Sequence, residues 1–147
     1  MALPPPWTYV ATAEPRDAEM AERIAAHRAR RGPHWRTIEA PHDLAGMLRT
    51  NDATPVLVDC LTLWLSNLLL ADADIDAEIG KLEEALALSA APVTLVANEV
   101  GYGIVPADAL ARRFRDLQGS LNQRIAARAD RVVLVVAGLP LVVKGSP

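Results

Sequence analysis

The sequence predicts an α/β fold, a mostly parallel sheet with helices on both faces. Two observations predict it. Short apolar runs alternate with helical segments along the chain, and the apolar runs do not alternate with polar residues. Strands that are apolar on both sides are buried on both faces, which is the condition of a parallel sheet. With 147 residues, residues 1–147 are expected to form a single α/β domain with a sizeable core.

WTYVATA (7–13) is short and rich in β-formers, so it reads as the first strand. Asp17 to Arg31 reads as a helix, because Met20, Ile24 and His27 recur at i, i+4 and i+7. Glu19 and Arg23 add an i,i+4 pair, and Gly32-Pro33 stops the helix. WRTIEA (35–40) is the second strand and Pro41 to Arg49 a short helix. TPVLVDC (54–60) is a continuous buried strand, followed by helical segments over Leu61–Leu70 and about Asp74–Ser89. PVTLVAN (92–98) is another buried strand. Asp108 to Ala129 is a long helix with Leu110, Phe114, Leu117, Leu121 and Ile125 on one face. RVVLVVAG (131–138) is a further strand, and LPLVVK is read as a final edge strand.

In such sheets ligands sit beyond the C-terminal ends of the strands. ATAEP, Glu39, DCLT, NEVGYGIVP and AGLP each follow a strand, so polar and turn residues are expected along one edge.

Composition narrows the class. Apolar residues make up 51% of the chain, yet no apolar run reaches the length of a membrane span. The longest, around Leu61–Ala71, is interrupted by Thr62, Ser66 and Asn67. MALPPPWTYV lacks the basic start and apolar core of a signal peptide. The single cysteine, Cys60, allows no internal disulfide and fits a reducing cytoplasm. A net charge of −3 does not indicate a nucleic-acid partner.

The charge is unevenly spread. From Arg23 to Arg36 there are five arginines, two histidines and no acid. One reading is a solvated helix end, where cations are favoured. The other is an anion site, since arginine suits phosphate oxygens. Charge alone leaves both open. His27 shares its stripe with Met20 and Ile24, which would put it at the edge of a core. Against that, arginines stand at positions 23, 28, 30 and 31. Nearby cations disfavour a charged imidazole, and a neutral one is a nucleophile whose target phosphate the cations would stabilise. Three scattered histidines and one cysteine form no metal-ligand pattern.

Asp59 ends the apolar strand VLVDC. A carboxylate there either caps the next helix or holds Mg²⁺ through water beside a nucleotide. Thr62 can cap or line the same place. NEVGYGIVP matches neither phosphate-loop pattern: Ile104 and Val105 follow Gly103 where a lysine and hydroxyl are needed, and Pro106 takes the place of a third glycine. It reads as a loop whose glycines allow positive φ, with Asn98 and Glu99 facing the ligand crevice. Along RRFRDLQGSLNQ (112–123), Arg112, Asp116, Gly119 and Gln123 form a row away from the apolar stripe, either solvated or in contact with a subunit or ligand.

Taken in order, YVATAEPRDAEMAERIAAHRARRGPHWRTIEAP, VLVDCLTLWLSNLL, NEVGYGIVP, LARRFRDLQGSLNQRIAARAD and VVAGLPLVVK resemble one family over Tyr9 to Lys144. It is the bifunctional adenosylcobinamide kinase / adenosylcobinamide-phosphate guanylyltransferase family of cobalamin biosynthesis. The resemblance implies an enzyme with a P-loop NTPase fold of the RecA-like type, assembled as a cytoplasmic homotrimer. It implies phosphorylation of adenosylcobinamide by GTP or ATP, then guanylyl transfer from GTP to adenosylcobinamide phosphate through a guanylylated histidine. That histidine maps to His27. Nucleotide contacts map to Ala11, Thr12 and Ala13, to Arg28, Ala29, Arg30 and Arg31, to Glu39, and to Asp59 as the acid that holds Mg²⁺ through water.

One departure stands out. The family begins with a strand and a loop like GGARSGKS, about twenty residues before the YVATA strand, and no G-K-[ST] occurs in this sequence. The expectation is a chain lacking the first strand and the Walker A loop, with a gap left inside the sheet. An alternative is a degenerate homologue that binds corrinoid or forms trimers without catalysis. A chain without the loop lacks backbone N–H groups and a lysine for the β and γ phosphates. It is expected to bind GTP more weakly than a form extended upstream by that segment, with little kinase activity. Calorimetric affinities that are equal for the two forms would contradict this.

Overall fold

A computed structural model describes residues 3–146. They divide into two compact units, one running through Asn98 and the other starting at Glu99.

The first unit holds β1 (Trp7–Ala11), α1 (Ala18–Ala29), β2 (Trp35–Glu39), α2 (Leu44–Thr50), β3 (Val56–Asp59), α3 (Leu61–Leu70), α4 (Ile75–Leu88) and β4 (Val93–Val96). Its sheet runs in the order β2-β1-β3-β4, every neighbour parallel. With this strand order the right-handed crossover rule assigns α1 to one face and α2, α3 and α4 to the other, and α4 packs against α2 and α3. The core lies under those three helices. Val10, Val56 and Val58 of the sheet are buried there, with Leu44 and Leu48 of α2, Trp64, Leu65 and Leu68 of α3, and Ile79 and Leu82 of α4. α1 buries no residue at all. Asp17, Asp43 and Asp74 each accept a hydrogen bond from a first-turn amide of the helix they precede.

The sheet is continuous. β3 pairs directly with β4 from Val56↔Val93 to Asp59↔Val96. The gap expected inside the sheet is therefore not there, because these two strands satisfy each other's ladder groups.

The second unit holds α5 (Ala109–Arg128), β5 (Val132–Val136) and β6 (Leu139–Lys144). Asp108 caps α5 by accepting from the Ala111 amide at 2.8 Å. At the other end, Lys144 Nζ donates to the carbonyls of Ala126 and Ala127 at 3.0 and 2.9 Å, a cation where the helix dipole favours one. Of the predicted apolar stripe, Leu121 is buried but Leu110 is exposed, and Gln118 is buried beside them. β5 and β6 pair antiparallel in a two-stranded sheet of their own. The expectation that AGLP is a strand-end loop of the parallel sheet is thus corrected. Ala137 and Gly138 have φ of 50° and 79°, and two successive positive φ values make the tight turn that folds LPLVVK back on RVVLVV.

The loops at the C-terminal edge of the first unit's sheet are joined by buried polar groups. Asn67 Nδ2 donates to the carbonyls of Thr12 at 2.7 Å and Pro41 at 3.1 Å. Asn67→Leu leaves both carbonyls without their donor and is expected to cost about 2 kcal/mol or more. Leu88→Ala, at a site 77% exposed, is expected to stay within about 0.5 kcal/mol. Urea unfolding of both variants measures the difference.

Candidate functional site

The site follows from strand register. Ala11 stands opposite Glu39 on one side and Asp59 on the other. Three residues from three strands therefore form one row at the C-terminal edge, with their side chains on the same face.

Behind this row Thr12 is fully buried. Its Oγ1 accepts from the Cys60 amide at 2.8 Å and donates to the Cys60 carbonyl at 2.7 Å. Its own amide donates to the Asp59 carbonyl at 3.3 Å. The Thr12 hydroxyl is thus engaged within the fold, and it locks the β1 and β3 ends to each other. Ala11 and Ala13 on either side are half-buried, and with methyl side chains they offer a ligand little beyond backbone groups.

Asp59 is half-buried. Its Oδ2 accepts a hydrogen bond of 2.5 Å from the Tyr9 hydroxyl. Tyr9 lies two residues before Ala11 on the same face of β1, so its long side chain reaches diagonally to the strand end. Burial, and next the hydrogen bond to Asp59, push the Tyr9 phenol up to about 12. The Arg31 guanidinium lies over the Tyr9 ring, 3.4 Å from its centroid, a close cation–π contact. Arg31 Nη1 donates to Thr37 Oγ1 at 2.8 Å, and its Nε is buried without a partner. Arg31 is therefore laid against the sheet rather than held out to solvent.

Arg28 and Glu39 meet as an ion pair at 3.2 Å. With Pro15, Ala21, Ile24, Ala25 and Ala29 they line a cleft of about 530 Å³ between α1 and the sheet edge. The structure thus brings Arg28, Ala29 and Glu39 to one cleft and lays Arg31 on Tyr9, which in turn bonds Asp59. His27 sits in the last turn of α1, beside Arg28 and exposed. The expected place at the edge of a core is corrected, since α1 has no buried face. Arg30 is exposed just after the helix. Among the described residues no group of three or more His, Cys, Asp or Glu side chains could hold a metal by itself. Asp59 is a lone carboxylate, which suits a cation that keeps most of its waters and shares a nucleotide's phosphates.

The glycines of NEVGYGIVP do not take positive φ, and both Gly101 and Gly103 are exposed with open space where a side chain would be. The freedom these glycines allow is therefore not used. In the first unit the Asn98 amide donates to Thr62 Oγ1 at 2.8 Å, so Thr62 anchors the end of the β4 segment. In the second unit Gln118 Nε2 donates to Asn122 Oδ1 at 2.7 Å, and Asn122 Nδ2 donates to Glu99 at 2.9 Å.

Tyr9, Thr37 and Asn67 were not legible as site residues. The available signal was a polar tip or amide inside an apolar segment, which must find a partner when buried.

The family model described as cobinamide kinase / cobinamide phosphate guanyltransferase, CobU, matches residues 1–143. The bifunctional adenosylcobalamin biosynthesis protein CobP of Pseudomonas aeruginosa is 50% identical over 144 residues, which span 95% of this chain and 83% of that protein. Proteins named bifunctional adenosylcobalamin biosynthesis protein CobU from Salmonella typhimurium and Escherichia coli are each 42% identical. Both alignments cover 92% of this chain and 84% of the relative.

The Arg28 and Glu39 side chains are 60% and 68% exposed, so solvent screens their attraction. Glu39→Gln is expected to change unfolding free energy by less than about 1 kcal/mol. A larger loss on urea unfolding would show the pair to be structural.

Proposed function

The chain belongs to the cobinamide kinase / cobinamide phosphate guanyltransferase family, and from that premise we propose that it binds GTP at the C-terminal edge of its parallel sheet and transfers guanylyl through His27. The observation that carries the reading is the row Ala11–Glu39–Asp59, with the arginines of the α1 end beside it.

His27 is the nucleophile in this reading. An unprotonated ring nitrogen attacks the α-phosphorus of GTP, the bond to the β-phosphate oxygen breaks, and pyrophosphate leaves. A phosphate oxygen of adenosylcobinamide phosphate then attacks the same phosphorus. The histidine–phosphorus bond breaks, giving adenosylcobinamide-GDP and free His27. Exposure of the imidazole supports this role, since both the nucleotide and a large second substrate must reach it. Arg28 and Arg30 flank it and can offset charge on the transferred phosphate. The Arg28–Glu39 pair would open as the nucleotide enters, freeing the guanidinium for a phosphate and the carboxylate for a donor group. Asp59 would hold Mg²⁺ through water, and that ion would neutralise charge on the nucleotide's phosphate oxygens. Phosphorylation of adenosylcobinamide by GTP or ATP would draw on the same edge, and would be impaired in a chain without the Walker A loop.

Incubation of the form extended upstream by the Walker A segment with labelled GTP is expected to leave an acid-labile, alkali-stable GMP adduct, the stability pattern of a phosphoramidate. His27→Ala should reduce the label to background. An undiminished adduct in the variant would reject His27 as the nucleophile.

A further inference from the structure

We propose that Tyr9 is a positioning residue for the nucleotide chemistry, fixing Asp59 through its hydroxyl and Arg31 through its ring. The proposal rests on the reading of Asp59 as the acid that serves the bound nucleotide.

The Tyr9 ring is buried at the middle of β1. It meets Trp35 edge-on at 6.2 Å and carries the Arg31 guanidinium on its face at 3.4 Å. A phenylalanine would keep both contacts. The hydroxyl therefore adds nothing to ring packing; it donates to Asp59 Oδ2 at 2.5 Å, and the Arg31 guanidinium is a weaker second neighbour. The bond to Asp59 restrains the carboxylate, and Oδ1 would be the atom to accept from water on a bound Mg²⁺. On the other side Arg31 is held by the ring and by Thr37 at 2.8 Å, its Nε buried with no partner. Arg31 lies just beyond the last turn of α1, which carries His27. One side chain thus ties the end of the nucleophile's helix to the acid at the end of β3. The hydroxyl acts chiefly on Asp59 and more weakly on Arg31, whereas the ring carries the Arg31 guanidinium.

The test measures GTP binding to this chain by calorimetry, with Mg²⁺ and with EDTA. The readout is the factor by which Mg²⁺ tightens binding. Tyr9→Phe is expected to cut that factor about tenfold, the effect of losing one hydrogen bond to a charged group. Asp59→Asn should cut the factor similarly, and Tyr9→Phe should add nothing on top of it. A wild-type factor in Tyr9→Phe with a reduced one in Asp59→Asn overturns the role of Tyr9 alone. So does an undiminished effect of Tyr9→Phe in the Asp59→Asn background, or failure of Tyr9→Phe to fold, which would assign the hydroxyl to stability. A wild-type factor in Asp59→Asn, or no effect of Mg²⁺ on the unmodified chain, overturns the underlying reading of Asp59 and the proposal with it.

Discussion

Parallel pairing of β1 with both β2 and β3 is the constraint on which the site depends. Parallel strands all end on the same edge, so the residues that close them meet without any loop having to bring them together. Ala11, Glu39 and Asp59 are 48 positions apart at the extremes of the sequence row, yet they are immediate neighbours across the sheet. Without that register Asp59 would be a helix-flanking carboxylate like Asp17 or Asp74.

The edge is held from behind by buried polar side chains. Thr12 exchanges two hydrogen bonds with the Cys60 backbone, and Asn67 reaches both Thr12 and Pro41. These bonds join the loops after β1, β2 and β3 to α3. Buried carbonyls and amides must be paired, so the loops have little freedom to drift apart. The face turned to α1 is built differently. There the contacts are a stacked guanidinium, a phenol–carboxylate bond and an exposed ion pair. Such contacts exchange for water and ligand at lower cost than a packed core, and α1, with no buried residue, takes part in them through the Arg28–Glu39 pair.

The apolar pattern located all the strands and helices to within a few residues, because a run buried on both faces has no polar alternative. The C-terminal region shows what a pattern leaves open. RVVLVVAG and LPLVVK carry the same β-forming composition as the strands of the parallel sheet. Their direction is set by two backbone angles at Ala137 and Gly138, and no residue-level apolar count contains those. Gly101 and Gly103 teach the converse, since a glycine permits positive φ but does not require it.

By itself the sequence determined the α/β class, the order of elements and the strand-end positions of Asp59 and Glu39, because burial and periodicity act locally along the chain. The arginine-rich end of α1 and the family motifs were equally open to reading. Only the tertiary structure decided which of these groups meet. It paired Arg28 with Glu39, laid Arg31 on Tyr9 and joined Tyr9 to Asp59, since each contact links residues brought close by strand register and crossover rather than by sequence. It also turned His27 to solvent. A helical stripe marks one side of a helix, but whether that side is covered depends on what packs against it.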